Sequence, residues 1–157
     1  MAQQLTRHRL GAYSMESQRY CNYKNKGFQF ISPKNLEIPV GEYYSSGYGT
    51  SVYRDEAHTE LYPSSDPYGP GAWILERIQN CIEYEKLLET MRPEDARSVL
   101  PNATKTEVVT TFNIRQWRHV FKERALNKHA QWQIRDIMQG ILKDFITLMP
   151  DLFGDLE

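Results

Sequence analysis

Fourteen consecutive residues, Arg7-His8-Arg9-Leu10-Gly11-Ala12-Tyr13-Ser14-Met15-Glu16-Ser17-Gln18-Arg19-Tyr20, carry three arginines and a histidine against a single acid, Glu16. Guanidinium groups are permanently charged forks of N–H donors that match phosphates and planar heterocycles. This segment therefore suits an anionic ligand. A second group lies in the stretch Ile114–Ala125. At 100° per helical residue, Trp117, Val120, Phe121 and Arg124 share one face. An arginine beside an apolar stripe needs a partner, because a lone buried charge is costly. That partner is either a carboxylate across the core or a ligand whose pocket has Arg124 at its floor. Arg115, His119 and Lys122 fall on the opposite face, which reads as a solvated basic face or as a donor set for an anion. Asn113 stands just before this helix, suited to capping it or to offering an amide to a ligand there. Arg97, a few residues before Pro101, reads on its own as a surface arginine.

These residues need elements to carry them. Residues 2–10 read as the end of a helix that Gly11 stops, and Tyr13–Tyr20 as extended or irregular chain. Residues 31–72 hold most of the Pro, Gly, Ser and Tyr, over a length that rarely lacks structure of its own. Leu36–Ile38 and Glu42–Tyr44 are expected as short strands and Ser45–Thr50 as a turn. From Ala72, apolar residues recur at helical spacing to about Arg92-Pro93. Pro93-Glu94-Asp95 starts a short helix ending at Leu100-Pro101, with acids near the positive end of its dipole. Thr104–Phe112, rich in Thr and Val, reads as a strand. Helices follow over Ile114–Ala125 and about Ala130–Met149. In the last, Ile134, Ile137, Met138, Ile141, Leu142, Phe145, Leu148 and Met149 form a broad apolar face that belongs in a core. The expected organisation is one domain, residues 1–157, without internal repeats.

A chain of 157 residues is long enough for one domain with a core. Its net charge of −1 gives no global pull towards nucleic acid, so anion binding must come from local clusters. No apolar run is long enough to span a membrane, and no apolar leader follows Met1. Cys21 and Cys81 fit neither a disulfide framework nor a metal pattern, and the four histidines lack ligand spacing. No metal is expected, and a reducing cytoplasmic setting is.

Four blocks carry a resemblance. They are Arg7-His8-Arg9, then seven residues, then Ser17-Gln18-Arg19-Tyr20; Glu94-Asp95-Ala96-Arg97 running to Leu100-Pro101; Asn113 and Arg115 with Trp117-Arg118-His119, Phe121 and Arg124; and Ala130-Gln131-Trp132-Gln133-Ile134-Arg135. In this order the chain resembles the flavin-dependent thymidylate synthases. The resemblance implies an α+β fold with an antiparallel or mixed central sheet flanked by helix clusters, and a mostly helical C-terminal half. It implies reductive methylation of dUMP to dTMP, with methylenetetrahydrofolate as carbon donor and FAD reduced by NADPH as hydride source. Alternative readings are an inactive nucleotide-binding remnant, a methylase of another pyrimidine nucleotide such as UMP, and a nucleic-acid module, which the net charge disfavours.

By position, Gln4, Arg7, Glu16, Ser17, Arg19, Arg97 and Arg124 resemble the family's nucleotide-binding set, with Arg124 as the arginine that favours the ionised uracil. Arg7, His8, Arg9, Asn113, Arg115 and His119 resemble its flavin-binding set. The family's homotetramer with shared active sites implies that the two sets need not meet within one chain. Ala12 and Met15 depart from the family's pattern, one residue is added between Arg124 and Ala130, and the family's segment before the first block is expected to be lacking here.

Overall fold

The computed structural model describes residues 2–45, 51–54, 59–63 and 66–156. Helix α1 (Ala2–Leu5) leads to strand β1 (Gly11–Met15) and helix α2 (Tyr23–Lys26). After a 3-10 turn (Lys34–Leu36) come strands β2 (Tyr43–Ser45), β3 (Ser51–Arg54) and β4 (Thr59–Pro63). Helix α3 (Pro70–Leu87) follows, then α4 (Pro93–Ala96), which a 3-10 turn (Arg97–Val99) extends. Strand β5 (Val108–Phe112) runs into α5 (Ile114–Phe121), continued by a π-helical turn (Lys122–Leu126). Helices α6 (Trp132–Leu148) and α7 (Pro150–Phe153) follow, with a last 3-10 turn (Gly154–Leu156). The class is α+β, as expected, with helix dominating after Pro70. The strands make two antiparallel sheets, β1–β5 and β2–β3–β4. The chain divides into two compact units, residues 1–15 with 107–157, and residues 16–106.

In the first unit, β1 pairs with β5 from Gly11↔Phe112 to Met15↔Val108. Gly11 is the first residue of this strand, not the stop of a long helix. A Cβ there would lie 2.1 Å from Phe112 Cε1, so only glycine admits the ring. The expected helix over 2–10 is a single turn ending at Leu5, after which His8 N–H closes a tighter turn onto Leu5 O at 3.1 Å. The Tyr13 hydroxyl donates to Leu5 O at 2.9 Å and to His8 O at 2.5 Å. The core gathers Phe112, Val120, Phe121, Ile134, Met138 and Phe153. Trp117 is wedged among rings, 4.9 Å from Phe112 and 5.0 Å from Phe145 between centroids. Of the apolar face expected on the last helix, Ile134, Met138 and Leu142 are buried, while Ile137 and Leu148 are exposed; the stripe is wider than the core it covers.

Helix α5 departs from α geometry at Lys122. A π turn closes on the fifth residue and takes in one more residue than an α turn. The 100° spacing that grouped Arg124 with Trp117 and Phe121 therefore ends at Phe121. Ala125 takes the fully buried position, and Arg124 sits half-buried beside it. Asn113 caps α5, its Oδ1 accepting from Gln116 N at 2.8 Å. Arg118 clamps the far end, donating to both carboxylate oxygens of Asp155 (2.7 and 2.6 Å) and to the Leu152 carbonyl.

In the second unit, α3 stops at Leu87, and turns carry the chain to Arg92. Its buried Tyr84 meets Tyr23 and Ala96 in a small core, with Phe28 edge-on to Tyr84 at 5.5 Å. Leu36–Ile38 is not a strand. Leu36 ends the 3-10 turn and Glu37 follows in the left-handed region at φ 50°, which breaks extended backbone. The strand expected from Thr104 begins only at Val108; Thr104 makes an isolated bridge to Phe30. Strand β2 begins one residue after the expected Glu42. The turn expected over Ser45–Thr50 lies, beyond Ser45, outside the described residues. Cys81 is partly buried, and that burial pushes its thiol up to about 11, which disfavours the thiolate a nucleophile needs.

Candidate functional site

The first unit holds Gln4, Arg7, His8, Arg9, Asn113, Arg115, His119 and Arg124. Arg124 is its centre. Its Nε donates to His8 Nε2 at 3.0 Å and its Nη2 to the Gln4 carbonyl at 3.4 Å. The partner that sequence geometry demanded is thus an imidazole and a carbonyl, not a core carboxylate. Arginine has no acceptor and stays protonated, so His8 Nε2 must present its lone pair. His8 is buried, and its ring meets His119 edge-on at 5.5 Å between centroids. Burial first, then the charge of Arg124 and the neighbouring His119, hold its pKa below the ordinary histidine value, against an opposite pull from Glu123. The Gln4 Oε1 atom is buried without a hydrogen-bond partner among the described residues. A buried acceptor of this kind is normally satisfied, and a ligand N–H or O–H would do so.

Around this centre, Arg7, Arg9, Arg115 and His119 are exposed. The side chains of the first block alternate, with His8 inward and the two arginines outward. Asn113 spends its Oδ1 on the cap and keeps its amide N–H groups as donors. Sequence reasoning missed Tyr13, whose hydroxyl fixes the backbone of Leu5 and His8. Its signal was the strand alternation of β1, in which Tyr13 alone is partly buried.

The second unit holds Glu16, Ser17, Arg19 and Arg97. Ser17 Oγ accepts from the Arg19 backbone N–H at 3.3 Å. Glu94, the helix-start acid of the second block, ties Arg19 and Arg97. Its Oε2 accepts from Arg19 Nη2 at 3.3 Å, and its carbonyl from Arg97 Nε at 3.0 Å. The first contact is long and exposed, so it holds Arg19 weakly. Arg97 lines an open depression of about 500 Å³ with Gln18, Met91, Glu94, Asp95 and Ser98. Glu16 accepts from Lys26 Nζ at 2.7 Å. Among the described residues no cluster of three or more His, Cys, Asp or Glu could hold a metal, and no helix is long and apolar enough to cross a membrane.

Comparison with known proteins adds the following. The family model "Thymidylate synthase complementing protein" matches residues 1–151. A flavin-dependent thymidylate synthase of Geobacter sulfurreducens is 31% identical over 154 residues, spanning 97% of this chain and 54% of that protein. Its counterpart in Mycobacteroides abscessus is 47% identical over 159 residues, spanning 98% and 56%. The chain thus spans about half the length of the curated relatives it matches. Among solved structures, Helicobacter pylori thymidylate synthase X, crystallised with FAD and dUMP, superposes with a TM-score of 0.60 at 19% identity, covering 98% of this chain and 65% of that one.

Proposed function

Because the chain belongs to the family of thymidylate synthase complementing proteins, we propose that it serves a flavin-dependent thymidylate synthase reaction, the reductive methylation of dUMP to dTMP. One observation carries the reading: Arg124 is anchored by His8 Nε2 and the Gln4 backbone carbonyl along one side of its guanidinium. Its remaining N–H donors complement a pyrimidine, whose ring edge presents carbonyl oxygens and a ring nitrogen that accepts once ionised. Considered by itself, the second unit holds donors of the kind a phosphate takes, in Ser17, the loosely held Arg19 and Arg97.

Residues do the work by charge and position. Arg124 polarises the uracil and favours its ionised ring nitrogen, lowering the barrier where negative charge develops. No cysteine nucleophile is needed, in keeping with the raised pKa of Cys81. The exposed cations Arg7, Arg9 and Arg115, with His8, His119 and the Asn113 amide, fit FAD, whose diphosphate and ring oxygens accept hydrogen bonds. When bound, FAD reduced by NADPH supplies the hydride, and methylenetetrahydrofolate the carbon. We further propose that the chain is part of a single domain of this family, that it acts in the cytoplasm, and that copies assemble as a homotetramer with shared sites. The family match running through both units supports the single domain.

Calorimetric titration of the full chain with dUMP and with UMP tests the nucleotide, visible flavin absorbance tests FAD, and sedimentation tests the assembly. We expect dUMP binding that Arg19→Ala weakens by roughly tenfold or more, the loss of a charge-assisted contact. Arg124→Ala is expected to fold but to lose about 10²–10³-fold in methylation. No binding of dUMP, or unchanged turnover of Arg124→Ala, overturns the proposal.

A further inference from the structure

Among the described residues, the guanidinium of Arg124 is held along one edge only. Nε and Nη2 lie on the same side of the planar group, and both are engaged, by His8 Nε2 and by the Gln4 carbonyl. The end-on edge, Nη1 with the other Nη2 hydrogen, is left to meet a ligand in the bidentate manner that arginine favours. From this we propose that His8 is the positioning residue of Arg124: held as the tautomer with its proton on Nδ1, it offers Nε2 as the acceptor that fixes the guanidinium plane for the pyrimidine. This inference rests on the reading of Arg124 as the nucleotide arginine, and it gives His8 a role beyond contact with a flavin.

Three features hold the imidazole in that role. Its ring is buried, with 6% exposure, so water does not compete for Nε2. Its backbone is pinned by the Tyr13 hydroxyl at the His8 carbonyl. Its ring plane is set against the edge of His119. The groups that act on its charge are Arg124, His119 and Glu123, and the net effect with burial favours the neutral ring. A protonated His8 would lose the acceptor and place two cations at hydrogen-bond distance.

The test uses the full chain in two parts. The first is 15N NMR of the His8 ring and of the Arg124 Nε–H at neutral pH. We expect an unprotonated Nε2, a protonated Nδ1 and a slowly exchanging Arg124 Nε–H. A proton on Nε2 overturns the proposal whatever dUMP does. The second compares dUMP affinity in His8→Phe, which keeps the ring against His119 but removes the acceptor, and His8→Gln, whose Oε1 restores an acceptor at similar reach. We expect dUMP binding roughly tenfold or more weaker in His8→Phe, as for one lost hydrogen bond to a charged group, and within about threefold of the parent in His8→Gln. Equal affinity in His8→Phe and the parent overturns positioning, as does a His8→Gln as weak as His8→Phe. If the parent itself binds no dUMP, the proposed function fails, while the NMR signature still decides the tautomer and the Arg124 bond. Should His8→Phe not fold, His8→Gln and the NMR part remain decisive.

Discussion

Tyr13→Phe removes one oxygen atom and tests how the first unit is tied together. The hydroxyl donates to two carbonyls, Leu5 O at 2.9 Å and His8 O at 2.5 Å, and so closes α1 onto β1. A neutral hydrogen bond is worth about 0.5–1.5 kcal/mol net, and a buried acceptor left unmade costs about 1–3 kcal/mol. Tyr13 is half-buried, so water recovers part of that cost, and the expected loss is about 1–2 kcal/mol. The phenylalanine ring keeps the edge contact with Phe112, 5.6 Å between centroids, which isolates the hydroxyl. Burial raises the phenol pKa above its ordinary value, so the donor stays protonated and the loss should be flat across the neutral range. In urea the midpoint should fall while the slope stays constant, because the surface exposed on unfolding is unchanged. In a thermal melt the same loss corresponds to about 2–8 °C for a chain of this size. Amide exchange at His8, whose N–H donates to Leu5 O at 3.1 Å, should accelerate more than exchange in α6. A variant within about 0.3 kcal/mol of the parent, with His8 exchange unaltered, would refute the view that this hydroxyl holds the first block in place.

Two glycines should respond to alanine with opposite signs. Gly11→Ala drives a Cβ to 2.1 Å from Phe112 Cε1, so the strand pair or the ring must move, at about 1–3 kcal/mol. Gly140→Ala, in the interior of α6 with nothing within 4 Å of the new atom, should stabilise by about 0.5–1 kcal/mol; denaturant titration of both variants reads the contrast, and equal signs would contradict the geometry. Stability should also depend on pH through His8. Its folded pKa lies below the ordinary 6.5, so the unfolded chain binds the proton more readily. The contribution is present in full above 6.5 and is lost as pH falls from there towards the folded value. In His8→Gln that segment of the stability profile should flatten, and an unchanged profile would assign the dependence to other groups.

Arg124 shows why the site was half legible. Its types and spacing were enough to demand a partner, since a charge beside Phe121 and Val120 is never left bare. The partner itself lies 116 residues away in sequence, and nothing local names it. The helical wheel also assumed α geometry, whereas a π turn begins at Lys122, so the face drawn through Trp117 and Arg124 does not extend that far. A local pattern did carry part of the answer. Arg7 and Arg9 are exposed and His8 between them is buried. Of these three cations only the histidine can give up its charge near neutral pH, so only the histidine enters the interior at tolerable cost. The same logic separates Gly11 from a helix stop, since the demand for glycine comes from Phe112 across the sheet and not from the chain before it. Local rules placed α4, α5 and α6 within a few residues because caps, prolines and apolar periodicity act locally. They failed at Leu5 and Gly11, which are fixed by Tyr13 and Phe112, and at Lys122, where the π turn that carries Arg124 to His8 begins.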